Sequence, residues 1–313
     1  MKDKTKKESS LWRKIKMSKQ IYFILLPVLI WLIVYSYVPL YGIVLAWKNY
    51  SPSKGILGSE WAGWVHFEKL FADPYFKDAI FNSIRLSLIR LLITFPAPLI
   101  LALLINEVRS TGYRRFVQTL TYLPHFISWT IISGIIKTFL APEATGPMNS
   151  FIASFGLAPI EFLNEPDLFI PILLIAELWK GAGWSSIIYL ASIMGIDGTM
   201  YEAAEIDGCS RLGKVWFITI PSIMPTIAMQ LVLSIANILN AGFDSIYNLY
   251  NSATAGVAET IDTLAYKTFL TLREREVATA MGLFKTAVNF VLMIGGNILT
   301  KKITGYSMYT FDN

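Results

Sequence analysis

Charge and chemically reactive side chains are scarce in this chain of 313 residues. Only 16% of the residues are Asp, Glu, Lys or Arg, against 54% hydrophobic, and the mean hydropathy is +0.50. Soluble domains carry about a quarter charged residues, so this composition excludes an ordinary soluble fold and points to a membrane protein. One cysteine, Cys209, excludes an internal disulfide. Two histidines, His66 and His125, lie far apart with no cysteine pair and leave no recognisable metal-ligand cluster. The same shortage disfavours an enzyme, which needs a metal cluster or a nucleophile with its base. No internal repeat or low-complexity linker divides the chain, so it reads as one membrane domain.

Excess positive charge is also lacking outside one place. The net charge is +5, yet residues 1–20 hold eight Lys and Arg against two acids. Without that tail the excess disappears, which argues against a nucleic-acid partner and for a basic cytoplasmic anchor beside a membrane span.

Long uncharged runs fill the rest. From Gln20 to Trp47 there is no charge, too long a stretch for a signal-peptide core, so residues 21–46 are expected to be a retained transmembrane helix, kinked or bounded by Pro27 and Pro39. Further spans are expected at 84–105, 116–140, 168–191, 226–249 and 277–299. The fold class is therefore all-α, a polytopic membrane protein of six spans, with a polar loop at 192–222 and a tail at 300–313. Residues 141–167 contain Glu143, Glu161, Glu165 and Asp167 but no Lys or Arg. Counted by side, the loops that share a face with the N-terminal tail hold fifteen Lys and Arg against seven opposite, which assigns both termini and the 192–222 loop to the cytoplasm.

That loop contains the segment Met200–Pro221, a polar interruption between two apolar runs. Thr199 and Glu202 have the spacing of a capping box, and Glu-Ala-Ala-Glu-Ile favours a helix. Gly208 suits the left-handed turn that ends it, and Ser210 suits the cap of a second helix bearing Leu212, Val215 and Trp216. Two short helices tethered at both ends to membrane spans make a docking element.

As a pattern the segment reads Glu202-Ala203-Ala204, three residues, Gly208, nine residues, Ile218, one residue, Ile220-Pro221. This resembles the EAA signature of permease subunits of binding-protein-dependent ABC importers, with every spacing kept and Ile220 where the family favours leucine. Trp184 to Ala191, Ile196-Asp197, Ile206-Asp207-Gly208 and Gly305-Tyr306-Ser307 look like the carbohydrate branch of those permeases. Pro39-Leu40-Tyr41-Gly42 looks most like the permeases for complex or acidic oligosaccharides. The resemblance implies a multi-pass protein of the cell membrane with a second permease subunit as a heterodimer partner, two ATPase subunits, an extracellular solute-binding protein and a sugar substrate. It also implies that Glu202, Ala203, Ala204, Asp207, Gly208, Ile218 and Pro221 form a coupling helix that receives the ATPase motion. Glu202 either faces the ATPase or completes the capping box, and both roles are compatible.

No cofactor is expected in this chain, with ATP and magnesium held by the partner ATPase. Gly208 to Val215 nearly matches a phosphate-binding loop, but Val215 replaces the hydroxyl residue that would hold magnesium, and a polar helix is expected where a buried strand should precede Gly208.

Gln230, Ser234, Asn237, Ala241, Asp244 and Asn248 recur at steps of three and four, a polar stripe along the expected fifth span with Asn240 beside it. Such a stripe faces either a substrate pathway or neighbouring helices to which it hydrogen-bonds. Glu177 and Lys180 each cost roughly 2.5–3.5 kcal/mol at mid-bilayer if unpaired, so a mutual pair is favoured over substrate contact. Lys137 suits snorkelling to the outer interface. Lys285 is expected either to pair with Asp244 or to meet an anionic sugar. Trp129 and Trp184 are expected either to stack on sugar rings or to pack. Arg85, Arg90, Lys137, Lys180 and Lys285 together suggest an acidic ligand. The rival reading is an ion-coupled secondary transporter with Glu177, Asp244 and Lys285 as relay, which calls for two related halves with interrupted spans.

Overall fold

The structure is a computed structural model that describes residues 17–142, 146–240 and 242–308. Most of the basic tail, Glu143, Ala241 of the stripe and residues 309–313 lie outside the described residues. The described chain is almost wholly helical, and its helices include four long and apolar enough to cross a membrane, or up to six if each of two bent pairs counts as one span. Where the sequence shows no boundary, the chain divides into two compact units between Phe67 and Glu68.

In the first unit, α1 (Lys19–Leu32) continues through a π turn at Ile33–Tyr37 and a tighter 3-10 stretch at Val38–Trp47. Pro27 lies within α1, and Pro39 sits at the start of the 3-10 stretch, where its missing N–H leaves no bond unmade. A two-residue antiparallel ribbon follows, Lys48–Asn49 against Glu60–Trp61. The buried Lys48 anchors it by donating to the carbonyls of Ile56 (2.8 Å) and Leu57 (2.9 Å).

The second unit begins its long helices earlier than hydropathy suggests. The expected span at 84–105 is α2 (Pro74–Ile93) running into α3 (Pro96–Asn106). Asp73 caps α2 by accepting from the Tyr75 N–H at 3.0 Å, with Pro74 in the first turn. The polar residues that hid this start from the hydropathy pattern have partners. Asn82 donates to the carbonyls of Gly256 (2.9 Å) and Glu259 (3.1 Å), and the Ser83 hydroxyl accepts from the Ile261 N–H (3.0 Å).

The expected third span is not one straight helix. α4 (Thr111–Tyr122) leads through a 3-10 turn at Leu123–Phe126 to α5 (Trp129–Phe139), with a bend of 98°. Pro124 interrupts the helical ladder, and Ser128 starts α5 afresh by accepting from the Ile131 N–H. α6 (Pro147–Ser154) then precedes α7 (Pro166–Met194), the fourth span. The expected fifth span is also broken. α10 (Met224–Ala236) stops before Asn237, whose backbone leaves the helical region, and α11 (Phe243–Leu249) begins only after Gly242, which is left-handed at φ 71°. Between α7 and α10 lie α8 (Gly198–Ile206) and α9 (Arg211–Lys214). α12 (Ile261–Leu270) and α13 (Arg275–Thr304) complete the unit.

α7 is the element against which the broken segments are fastened. Its apolar faces pack in two clusters, Phe169, Ile170, Leu173 and Leu174 with Leu86 and Ile246, and Tyr189, Leu190 and Ile193 with Ala102, Ile105 and Ile223. At the level of the α4–α5 bend, Gly183 lets α4 approach so closely that a Cβ there would overlap the Thr121 carbonyl. One turn away, Lys180 donates to the carbonyls of His125 (2.7 Å) and Ile127, and its ammonium lies 5.8 Å from the Trp129 ring centroid. The expected Glu177–Lys180 pair is therefore absent, because the bend exposes carbonyls that no helical N–H reaches and the ammonium satisfies them. Glu177 turns instead to Arg90 of α2, whose Nε donates at 2.8 Å with a second contact through Nη2. Ser245 of α11 donates to the same carboxylate (2.9 Å) and accepts from Arg90 (3.2 Å).

Two stability tests follow from these fastenings. Gly183→Leu is expected to lower the unfolding free energy by about 1–3 kcal/mol through overpacking against α4, read as a depressed thermal midpoint in detergent, whereas Gly181→Leu, with open space around its Cβ, leaves it nearly unchanged. Glu177→Gln removes the charge partner of a half-buried guanidinium and is expected to cost about 3 kcal/mol, while the double change R90L/E177L recovers much of that loss.

Candidate functional site

The four polar residues nearest the end of α10 converge on one cavity of about 300 Å³. Gln230, Ser234 and Asn237 face it from α10 and the turn beyond, together with Asn240. Arg90 and Thr94 of α2 and Ser185 and Tyr189 of α7 line the opposite sides. The turn at 237–240 is held in shape from two directions. Asn240 Nδ2 donates to Asn237 Oδ1 at 2.7 Å, and the Leu239 N–H donates to Asn289 of α13 at 3.1 Å.

Asn240 also borders a second, more open concavity of about 440 Å³, with Gly242, Phe243, Asp262, Tyr266 and Lys285. Lys285 pairs there with Asp262 of α12, not with Asp244. The two lie on tightly packed neighbouring helices, so the ammonium finds a carboxylate without reaching across the bundle. Phe243, Tyr247 and Tyr266 form an aromatic triplet with centroid separations of 4.9–5.1 Å. Amides, hydroxyls, a charge-compensated pair and aromatic faces are the groups that bind polyhydroxylated molecules.

Part of the expected stripe does not belong to this arrangement. The break after Ala236 rotates the remainder away, so Asp244 is exposed and Asn248 donates to the Asp244 carbonyl (2.8 Å), and neither lines the two cavities. Trp184 does not line the two cavities either; its ring stacks on His125 at 4.5 Å and 5°. Glu177 pairs with Arg90 and Lys285 with Asp262, while Asp244 is exposed, so the three are not gathered into one relay. Asp262, Ser245 and the tyrosines were not singled out from the sequence. A lone acid in α12 beside the 243–266 aromatics was the available signal for Asp262 and the tyrosines, whereas nothing local marked Ser245.

The second functional element is the α8–α9 segment. Asp197, not Thr199, caps α8 by accepting from the Thr199 N–H at 3.0 Å, so Thr199 lies inside the helix and forms no capping box with Glu202. A carboxylate at the positive end of a helix is stabilised there. The Thr199 backbone N–H accordingly holds the Asp197 carboxyl below its ordinary pKa. At the other end Gly208 takes φ 73°, the Cys209 N–H closes on the Ala204 carbonyl (2.8 Å), and the Asp207 N–H donates to Ala203 (3.0 Å). Ser210 then caps α9 by accepting from the Gly213 N–H (3.1 Å).

Opposite edges of α8 have opposite fates. Tyr201 turns inward to the Thr219 hydroxyl (2.9 Å), and Glu205, though exposed, reaches the Lys214 ammonium, which lowers the Glu205 pKa. Glu202 and Ala203 are exposed, and Ile206 is 87% exposed. Downstream, a π turn at Val215–Thr219 buries Ile218, Pro221 sits in a short exposed turn, and the helical path bends by 65° into α10. The stretch before Gly208 is helix and not strand, in keeping with the rejected phosphate-loop match.

Comparison with known proteins identifies the family of the chain. Residues 94–305 match the family described as the binding-protein-dependent transport system inner membrane component. The chain is 40% identical over 288 residues to protein LplB of Bacillus subtilis, covering 92% of this chain and 90% of that one. It is 41% identical over 306 residues to the polygalacturonan/rhamnogalacturonan transport system permease protein YteP of the same organism, covering 98% and 95%. Among solved structures, a bacterial ABC transporter involved in the import of the acidic polysaccharide alginate contains a chain that superposes with a TM-score of 0.86 at 41% identity, covering 94% of this chain and 99% of that one. The same transporter is known in complex with an alginate pentasaccharide-bound periplasmic protein, again with a TM-score of 0.86. The chain therefore belongs to the inner membrane components of binding-protein-dependent transport systems.

Proposed function

We propose that this permease subunit carries oligosaccharides into the cytoplasm as part of an ATP-driven ABC importer of the cytoplasmic membrane. The observation that carries the reading is the polar cavity bordered by Gln230, Ser234, Asn237 and Asn240 within an otherwise apolar helical unit. Polar side chains kept together inside a membrane domain mark a ligand or solvent path. The oligosaccharide class is supported by the relatives, one of which transports polygalacturonan and rhamnogalacturonan and another alginate. An acidic ligand follows from the same names. The chain's own cations support it less directly than their number suggests, since Arg90 and Lys285 are paired with carboxylates and Lys180 with carbonyls. Paired guanidinium and ammonium groups retain hydrogen-bond donors for hydroxyl and carboxylate groups of a sugar without presenting a bare charge.

The proposed assembly contains a second permease subunit, two ATPase subunits that hold ATP and magnesium, and an extracellular solute-binding protein. Both termini and the 192–222 loop face the cytoplasm. This chain performs no covalent chemistry. ATP binding closes the ATPase pair, the exposed Glu202, Ala203 and Ile206 edge of α8 moves with it, and the bundle opens toward the binding protein. Ala204, Asp207 and Gly208 hold the turn behind that edge, and Ile218 and Pro221 anchor the path into α10.

Two measurements test this. Glu202→Ala or Gly208→Val is expected to leave membrane insertion intact and to reduce sugar-stimulated ATP hydrolysis and uptake by tenfold or more in reconstituted vesicles; normal transport by both variants refutes the coupling role. Calorimetry of the cognate binding protein with oligogalacturonides and with neutral oligosaccharides is expected to favour the acidic set, and a clear preference for neutral sugars refutes the acidic ligand.

A further inference from the structure

A third cavity, of about 310 Å³, lies between the turn that follows α3 and the inner edge of α8. Its lining holds four basic groups, Arg109, Arg114, Arg211 and Lys214, and two carboxylates, Glu107 and Glu205. The basic excess is not quenched locally. Arg114 commits Nε and Nη2 to the neutral carbonyls of Asn106 (3.1 Å) and Val108 (2.9 and 3.2 Å), which fix the guanidinium without cancelling its charge and leave Nη1 outside these bonds. Only Lys214 is salt-bridged to a lining carboxylate, Glu205. Among the described residues Arg109 and Arg211 form no salt bridge, and both are exposed. Four cations from two separate stretches of chain converge on one concavity, although like charges so placed repel one another unless an anion joins them.

The surroundings indicate where such an anion comes from. Val215 of the lining is followed in sequence by Trp216 and Phe217, which are 65% and 80% exposed, with Leu212 at 73%. A tryptophan beside basic side chains is the side-chain composition of the membrane interface. Anionic phospholipid head groups gather basic side chains at the cytoplasmic surface.

We propose that this cavity is a binding site for a phosphate-bearing anion, with the head group of an anionic phospholipid as its occupant. The phosphate joins Arg109 of the α3–α4 turn to Arg211 of α9, with Arg114 as a prefixed donor, while the acyl chains run along Trp216 and Phe217. The bound phosphate links two stretches that no salt bridge joins among the described residues, so it restrains α8 and α9. The site stands on the cavity and its charges and does not require that α8 couple to an ATPase.

The test uses the full chain, purified with its accompanying subunits, in nanodiscs of phosphatidylcholine with or without phosphatidylglycerol. Retained phosphatidylglycerol is counted by mass spectrometry, and hydrogen exchange is followed in residues 106–114 and 198–214. Inorganic phosphate is added separately to the phosphatidylcholine discs. The wild type is expected to retain phosphatidylglycerol and to slow exchange in both segments. R109Q/R211Q, which alters two exposed side chains, is expected to weaken retention by about tenfold or more. R115Q, a neighbouring charge outside the cavity lining, behaves as wild type. Protection by inorganic phosphate alone, lost in the double variant, supports the site but assigns it to a soluble phosphate. Equal retention and equal exchange in wild type and R109Q/R211Q with both probes overturn the proposal.

Discussion

A charge held among membrane helices must find compensation inside the protein, and three cations meet that demand here in three ways. Arg90 takes a carboxylate from α7 and shares a hydroxyl from α11. Lys180 takes backbone carbonyls that the bend between α4 and α5 leaves without helical partners. Lys285 takes a carboxylate from the neighbouring α12. Each solution ties together segments distant in sequence, so the charges that lipid penalises most become the cross-links of the fold. Burying an ion pair contributes little net stability compared with an apolar contact. What these pairs provide is geometry, since a guanidinium with two fixed partners leaves α2, α7 and α11 little freedom to slide.

The polar cavity is a by-product of the same economy. With Glu177 and Ser245 occupied by Arg90, the adjacent Gln230, Asn237 and Asn240 are left to face open space instead of neutralising a charge. Ending α10 at Ala236 brings Asn237 and Asn240 onto one turn, where they bind each other and the backbone is held by Asn289. An unbroken helix would have spread those amides along its length and exposed some of them to lipid.

How much of this was legible from residues alone varied with the range of the interaction. The helical class, the two short helices between the fourth and fifth expected spans and the Gly208 turn rest on local rules, and they read directly from the sequence. Caps are local too, yet the Thr-x-x-Glu spacing points to Thr199, while the carboxylate of Asp197, one position before the helix, satisfies the first turn. The breaks in the third and fifth spans escaped because flanking apolar residues keep the averaged hydropathy high, although Pro124 and Gly242 mark the bends locally. The partners of Glu177, Lys180 and Lys285 escaped for a different reason. Contact between residues 90 and 177, or 127 and 180, depends on which helices are neighbours, and periodicity along one helix carries no information about that.

The π turn at Val215–Thr219 has a consequence for orientation. Such a turn accommodates one residue more than an α turn. One residue of an α-helix corresponds to about 100° about the axis, so the extra residue changes by that amount the face that the following residues present. Tyr201 is fastened to Thr219 at one end of this turn and Glu205 to Lys214 at the other, so the turn sets the angle between those two fastenings. It thereby fixes which side chains of the path face α8 before the 65° bend into α10.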